Sequence, residues 1–326
     1  MRIGIASMGG TIAMAPTEHG GIEPSFDAVS LAAAVPALAD IGQLVTTDVC
    51  NVGSPSVTID SVLQCLAWAK EQVRDGAGGI VVTHGTDTLE ESAYLLDLFW
   101  DEDVPLVVTG AMRSPQEPGA DGPANLLAAA TVAASDEARG LGVLVVMNDE
   151  VFLARRVRKV NTFRTDAFAS PEGTAIGRFV EGRFELGWLS AQGRPAPLPV
   201  PTGRARIGIV QTCLGEEGAT ITAAGSVNDG LVIDGVGAGH VAGPAVAAVE
   251  EVMARVPVVM ASRTGSGRTG ETTYAYPGGD VDLVRRGVIM AGRLTAAQAR
   301  LLLWALVAGG ASRGEIAEAF AARKFG

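Results

Sequence analysis

The sequence predicts an α/β fold, with a large N-terminal domain whose mainly parallel sheet is flanked by helices and a smaller C-terminal α/β domain. Three observations carry this. Short apolar runs alternate with helical patterns through the first half, the mark of βαβ units around a parallel sheet covered on both faces. Near residue 190 the text changes to SAQGRPAPLPVPTG, where four prolines within seven residues forbid a helix and favour a stiff, extended connection. Beyond it the alternation resumes on a smaller scale. A large domain is therefore expected at 1–189, a Pro-rich linker at 190–203 and a small domain at 204–326.

Taken in order, strands are expected at 2–6, 79–83, 105–109 and 142–147, with helices near 27–39, 58–74, 88–100 and 122–137. In the small domain strands are expected near 206–211, 230–234, 256–261 and 287–290, and helices near 243–255, 295–309 and 312–322. The length agrees, since 326 residues at roughly 150 per domain suggest two domains. With 48% hydrophobic and 19% charged residues the chain can bury a large core. A net charge of -11 argues against a nucleic-acid or anionic-membrane partner. Cys50, Cys65 and Cys213 are too widely spaced for a CxxC pair or a disulfide framework, which fits a reducing compartment. The chain enters the strand MRIGIA with no charged leader, and no apolar run approaches the roughly 18 residues of a membrane span. A cytoplasmic protein is expected.

One stretch, VVTHGTDTLEESAYLL at 81–96, runs from a buried strand through Thr86 and Asp87 straight into a helical pattern. Thr88 and Glu91 have the spacing of a capping box, in which each side chain satisfies a backbone N–H of the first turn. Capping does not account for His84, Gly85, Thr86 and Asp87. Residues just past the carboxyl end of a parallel strand line the crevice where ligands bind, so chemistry stays open beside capping.

Two glycine-rich stretches point elsewhere only superficially. GIASMGGT at 4–11 has P-loop spacing, but Gly10 stands where that loop needs its lysine. Gly265, Gly267 and Gly270 spell GxGxxG, yet the following ETTYAYPGG cannot open the helix that would carry a pyrophosphate. His19, His84 and His240 are the only histidines, and none pairs with another His or Cys at a ligand spacing, so no metal is expected. What remains is a set of hydroxyls at strand ends with one lysine and one aspartate. Thr11 follows Gly9 and Gly10, whose lack of side chains would let a substrate approach the backbone or would serve a tight turn. Ser54 in NVGS would by default be a turn serine, and Lys159 in RRVRKVNT one more solvated charge.

Together these segments resemble the bacterial-type L-asparaginase family over nearly the whole chain. GGTIA at 9–13 looks like its first signature and THGTDTLEESAYLLDL at 83–98 like its second. Supporting matches are AVPAL at 34–38, NVGS at 51–54, TGAMR at 109–113, ADGPANL at 120–126, VLVVMND at 143–149 and the lysine of RKVNT. The resemblance implies hydrolysis of the L-asparagine side-chain amide to L-aspartate and ammonia, without a cofactor. It makes Thr11 the nucleophile of an acyl-enzyme, with Thr86, Asp87 and Lys159 as one hydrogen-bonded set that supplies the base, and it gives the capping role to Thr88. Asp87 would also hold the substrate's α-ammonium and Ser54 its α-carboxylate, with Thr86, Gly53 and Ala111 lining the same place. It further implies sites built between the large domain of one subunit and the small domain of another, hence a homotetramer arranged as a dimer of dimers.

Several positions depart from the family pattern. The lid usually carries a tyrosine, but between Met14 and Asp27 the text is APTEHGGIEPSF. Tyr274 would supply the missing phenol from a neighbouring subunit, or Glu271 would be the displaced partner acid, or both are structural. The family's glutamine after the serine is Pro55, and His240 stands where an asparagine or serine is expected. These changes leave the reaction class intact and bear on affinity and on the choice between asparagine and glutamine. The rivals are an amidase on glutamine or a modified Asn/Gln-like substrate, and a non-catalytic amino-acid-binding homologue.

Overall fold

The computed structural model describes residues 1–326 apart from 18, 172, 188, 190–192 and 325–326. The chain divides into two compact units, Met1–Pro197 and Leu198–Gly326. The division falls among the alternating prolines, where the backbone is in neither helix nor strand. The start of the expected linker, 190–192, lies outside the described residues.

In the first unit β1 (Arg2–Gly9) is followed by a small hairpin of β2 (Met14–Pro16) and β3 (Ile22–Pro24), then by β4 (Gln43–Val52), β5 (Gly79–Thr83), β6 (Leu106–Thr109) and β7 (Val143–Met147). Strands β4, β1, β5, β6 and β7 lie side by side in that order, all parallel. Beyond β7 the sheet continues antiparallel through β8 (Glu150–Leu153), β11 (Gly177–Val180) and β12 (Arg183–Leu186), while β9 (Arg158–Lys159) and β10 (Phe168–Ala169) form a separate short ribbon. The helices are α1 (Ala28–Ala33), α2 (Ile59–Arg74), α3 (Leu89–Phe99) and α4 (Gly122–Ala133).

Both faces of this sheet are covered, as a parallel sheet requires. On one face Ile3, Ile5, Val81, Val107, Leu144 and Val146 share a core with Leu31 of α1 and with Leu126, Ala129 and Val132 of α4. On the other, Gly4 leaves room for Trp68 of α2, which a Cβ would approach to 3.0 Å. Thr58 caps α2 by accepting the Ser61 N–H at 3.1 Å.

The expected helix at 27–39 is instead two pieces. α1, capped by Asp27, ends at Ala33, and a separate 3-10 turn covers Pro36–Asp40. The cause is Pro36, which lacks an N–H and drives Val35 out of helical geometry, to φ -127 and ψ 78. The expected helix at 122–137 likewise stops at Ala133, with a 3-10 turn at Asp136–Ala138. Strand β4 was not foreseen because it is an edge strand, half-buried and carrying two threonines and an aspartate instead of an apolar run. The β7–β8 hairpin depends on Asn148 and Asp149 at φ 52 and 61, the pair of left-handed residues that a tight two-residue turn needs.

The second unit is a four-stranded parallel sheet in the order β13 (Ile207–Gln211), β14 (Gly230–Gly235), β15 (Val258–Ser262) and β16 (Ile289–Met290). It carries α5 (Ala219–Val227), α6 (Val246–Met253), α7 (Asp280–Arg286), α8 (Ala296–Ala308) and α9 (Arg313–Arg323). Capping boxes at Thr295/Gln298 and Ser312/Glu315 start the last two. Helices α5 and α7 are additions to the expected pattern. Their starts follow glycines, Gly218 and Gly279, that carry no side-chain cap.

Candidate active site

Four loops at the carboxyl ends of β1, β4, β5 and β6 are pressed together through glycines. Gly9 and Gly10 have φ of 81 and 86, and a Cβ on Gly10 would sit 2.1 Å from the Gly85 Cα. A Cβ on Gly9 would lie 2.6 Å from the Val52 backbone, one on Gly85 2.8 Å from Ser54 Cβ, and one on Gly110 2.5 Å from the His84 carbonyl oxygen. Only glycine fits at these contacts. The expectation that Gly9 and Gly10 leave space for a substrate is corrected accordingly, since the backbones of Val52 and Gly85 occupy that space. The consequence is positional: Thr11 and Thr86 each follow one of two glycines whose main chains touch.

Thr11 opens a 3-10 turn, Thr11–Ala13, in which Ile12 and Ala13 are buried and anchor the loop while Thr11 stays half-buried. Ser54 is buried in its own 3-10 turn, Ser54–Ser56, and its hydroxyl accepts the Asp87 N–H at 3.1 Å. Its carbonyl accepts the Thr88 hydroxyl at 2.8 Å. Thr88 therefore does not cap α3 with its side chain, contrary to the capping-box reading. The capping reading makes the Thr88 hydroxyl an acceptor for a helix N–H, because the sequence does not show that Ser54, thirty-four positions earlier, offers it a carbonyl to donate to.

Lys159 joins this cluster from β9. Its Nζ donates to Thr86 Oγ1 at 2.9 Å and to Asp87 Oδ1 at 2.6 Å. Thr86 is buried, the Lys159 side chain is 15% exposed and that of Asp87 61%, so the ion pair spans from the protein interior to solvent. Its backbone N–H donates to the Glu90 carboxylate, a residue that sequence reasoning passed over in favour of Glu91. Burial raises the Glu90 carboxyl above its ordinary range, against the Lys159 N–H and the charges of Arg158 and Lys159, which lower it. An acidic residue in the first turn of the helix that follows the site was the only available signal. Asp87, Glu90 and Lys159 line a cleft together with Val160, Asn161, Thr162 and Phe163.

Gly53 stands at the start of the Ser54 turn, its carbonyl accepting the Ser56 N–H at 2.9 Å. Ala111 is buried beside Gly110, where a Cβ would come within 3.3 Å of the Thr86 methyl. The ADGPANL segment fixes this corner. Asp121 accepts the N–H groups of Met112 and Arg113, and Asn125 donates to the Gly110 carbonyl at 3.0 Å while accepting the Asn148 N–H at 3.0 Å.

His84 is fully buried behind these loops. Its Nδ1 donates to the Gly85 carbonyl at 2.7 Å, which fixes the tautomer because a carbonyl only accepts, and Nε2 has no partner among the described residues. Burial lowers its pKa from 6.5 to about 4, so between those values the ring is neutral in the folded protein and takes up a proton on unfolding. That contribution to stability is full above pH 6.5 and is lost as the pH falls toward 4, about 3 kcal/mol in all. In urea denaturation at pH 7 and pH 4, His84→Gln is expected to lose about 3 kcal/mol less between the two pH values than the parent protein. An equal loss in both proteins would rule out this source of acid sensitivity.

The remaining candidates lie in the second unit. His240 Nδ1 is 2.9 Å from the Tyr276 hydroxyl and its Nε2 is 3.6 Å from the fully buried Asp280. Tyr274 stacks edge-on against His240 with ring centroids 5.1 Å apart. Burial raises the Asp280 carboxyl, but the N–H groups of Thr273 and Tyr274 and the nearby His240 outweigh it and hold it low. Glu271 is ion-paired to Lys324 at 3.1 Å. Tyr276 and Asp280 were missed by sequence reasoning, since nothing in YAYPGGD singles out the second tyrosine.

Residues 2–191 match the family model described as "Asparaginase, N-terminal", and residues 206–320 the model described as "Glutaminase/Asparaginase C-terminal domain". A probable L-asparaginase of Deinococcus radiodurans is 38% identical over 325 residues, covering 98% of this chain and 97% of that protein. L-asparaginase 2 of Escherichia coli is 33% identical over 314 residues, covering 92% and 87%. The crystal structure of a probable cytoplasmic L-asparaginase from Campylobacter jejuni superposes with a TM-score of 0.87 at 29% identity, covering 98% of this chain and 99% of that one. Both halves of the chain, and the loops that carry the hydroxyls in the first of them, lie inside these matches, and the protein belongs to the asparaginase family.

Proposed function

We propose that the protein is an L-asparaginase, hydrolysing the side-chain amide of L-asparagine to L-aspartate and ammonia through an acyl-threonine intermediate. The observation that supports this most directly is the Thr86–Lys159–Asp87 set, with Nζ at 2.9 and 2.6 Å from the two side-chain oxygens, beside the loop that carries Thr11. A carboxamide is a poor electrophile, and a positioned nucleophile divides its hydrolysis into acylation and deacylation. Thr11 attacks, its side chain held at the site by a turn whose next two residues are buried. Thr86 relays the proton between the reacting atoms and Lys159, and backbone N–H groups near Thr11 and Thr86 receive the developing oxyanion, where one donor is worth roughly 2.7–4 kcal/mol.

Substrate orientation falls to Ser54 and Asp87. The Ser54 hydroxyl already accepts the Asp87 N–H, so its own hydrogen remains to be donated to the substrate's α-carboxylate. The exposed face of the Asp87 carboxylate takes the α-ammonium. Gly53 and Ala111 contribute wall. The chemistry needs no cofactor.

The working form is a homo-oligomer, a dimer of dimers, in which the loops at 236–240 and 270–276, with His240, Glu271 and Tyr274, complete a neighbour's site. Its location is cytoplasmic, as the name of the Campylobacter jejuni protein suggests.

The purified protein is expected to release equal amounts of ammonia and aspartate from L-asparagine. Glutamine differs by one methylene, which a pocket discriminates by about 1–3 kcal/mol, and asparagine should have the higher kcat/KM. Glutamine turned over equally well or better would favour an amidase of broader or different substrate. Binding of asparagine without any ammonia would leave only an amino-acid-binding homologue.

A further inference from the structure

We infer that Glu90 is a positioning residue for Lys159, acting through the hydrogen bond that the Lys159 backbone N–H donates to its carboxylate; this rests on the reading of Lys159 as the proton-transfer group. Both ends of the lysine are held by one five-residue stretch. Thr86 and Asp87 take Nζ, and Glu90 takes the main-chain N–H. The two holders differ in what they are attached to. Glu90 lies in the first turn of α3, where Leu89 and every residue from Ser92 to Phe99 are buried, so its backbone is fixed by the core of the first unit.

The main chain at Lys159 is anchored on its near side by the buried Val157, two positions earlier, and less firmly beyond it. Among the described residues strand β9 is two residues long and pairs with the equally short β10. Immediately beyond it the chain enters an exposed loop, with Val160 54% and Phe163 85% accessible, closed by the Val160 N–H to Ala167 carbonyl bond at 2.7 Å. A long, flexible side chain whose root can shift delivers its ammonium to Thr86 only part of the time. The bond to Glu90 removes that freedom at the root. It also explains why a carboxylate is tolerated in a half-buried place that raises its pKa: the acceptor is required there, and the helix N-terminus favours a negative group.

A purely structural role, in which Glu90 only complements the helix N-terminus, makes a different prediction. It would affect stability, and any effect on turnover would not depend on Lys159. Steady-state kinetics with L-asparagine on the parent protein, Glu90→Ala, Glu90→Gln, Lys159→Met and the Glu90→Ala/Lys159→Met double variant separate the two. Glu90→Ala is expected to lower kcat on the order of tenfold with KM changed less than about threefold, the pattern of a lost transition-state arrangement. Glu90→Gln, which keeps an acceptor oxygen, should recover most of that loss. On the Lys159→Met background Glu90→Ala should change kcat by less than about twofold, because residues acting through one another are not additive. If Glu90→Ala does not fold, Glu90→Ser, too short to reach the amide, takes its place in the cycle. Equal loss on both backgrounds, a Glu90→Gln as impaired as the alanine variant, or an unimpaired Glu90→Ala overturns the proposal while leaving Lys159 in its role. A Lys159→Met with the parent kcat overturns the reading of Lys159 itself, whatever the Glu90 variants do.

Discussion

Thr11→Ala is expected to lower kcat for L-asparagine by on the order of 10³-fold or more, while the Kd for the substrate stays within a few-fold of the parent value. The asymmetry follows from where the residue sits. The α-carboxylate and α-ammonium are assigned to Ser54 and Asp87, whose positions are set by the Asp87 N–H bond to Ser54 and by Lys159, none of which involves the Thr11 side chain. The turn that carries Thr11 is anchored by the buried Ile12 and Ala13, so truncation at Thr11 leaves the backbone in place. A slow electrophilic analogue of asparagine should label Thr11 in the parent protein, and the alanine variant should bind the analogue without becoming labelled. Thr86 is the competing hydroxyl. It is already hydrogen-bonded to Nζ and buried, which suits a relay more than an attacking group. Peptide mapping that finds the adduct on Thr86, with Thr11→Ala labelled at the parent rate, would reverse the two roles.

The central strands were legible because burial on both faces writes a continuous apolar run: GIVVT at 79–83 and VLVVM at 143–147 carry their structure openly. The half-buried edge strand β4 and the antiparallel hairpins beyond β7 were not, because partial exposure dilutes the apolar signal and their pairing depends on distant partners. The hydroxyls, aspartate and lysine of the candidate site were legible as a set only through resemblance. Taken alone, Ser54 reads as a turn residue and Lys159 as a surface charge. Their actual partners are 33 and 73 positions away along the chain, a distance that no local pattern encodes. The same limit explains the error at Thr88, where local spacing favoured a cap and a non-local carbonyl won. Glycines behaved oppositely. Their presence at 9, 10, 85 and 110 was plain, but their purpose, contact between main chains, required the fold.

Lys159→Met is expected to lower kcat by roughly 10²–10⁴-fold, the range lost with a general acid–base group, and to raise KM by much less. Removing the ammonium takes one donor from the buried Thr86 hydroxyl and one partner from Asp87. Asp87 is 61% exposed, so water solvates its carboxylate once the lysine is gone, and the pair contributes on the order of 0–1 kcal/mol to stability. The thermal midpoint should therefore move little, and the kinetic defect cannot be assigned to unfolding. Lys159→Arg sharpens the test. A guanidinium keeps the positive charge and can still donate to Thr86 and Asp87, but it does not give up its proton at any accessible pH. If the lysine serves only as a fixed charge beside Asp87, the arginine variant should regain a large part of the activity. If it exchanges a proton with Thr86 in each turnover, arginine should be nearly as impaired as methionine, and that is the outcome expected. Recovery of more than about a tenth of the parent kcat by Lys159→Arg would reassign Lys159 from proton transfer to electrostatic support of the site.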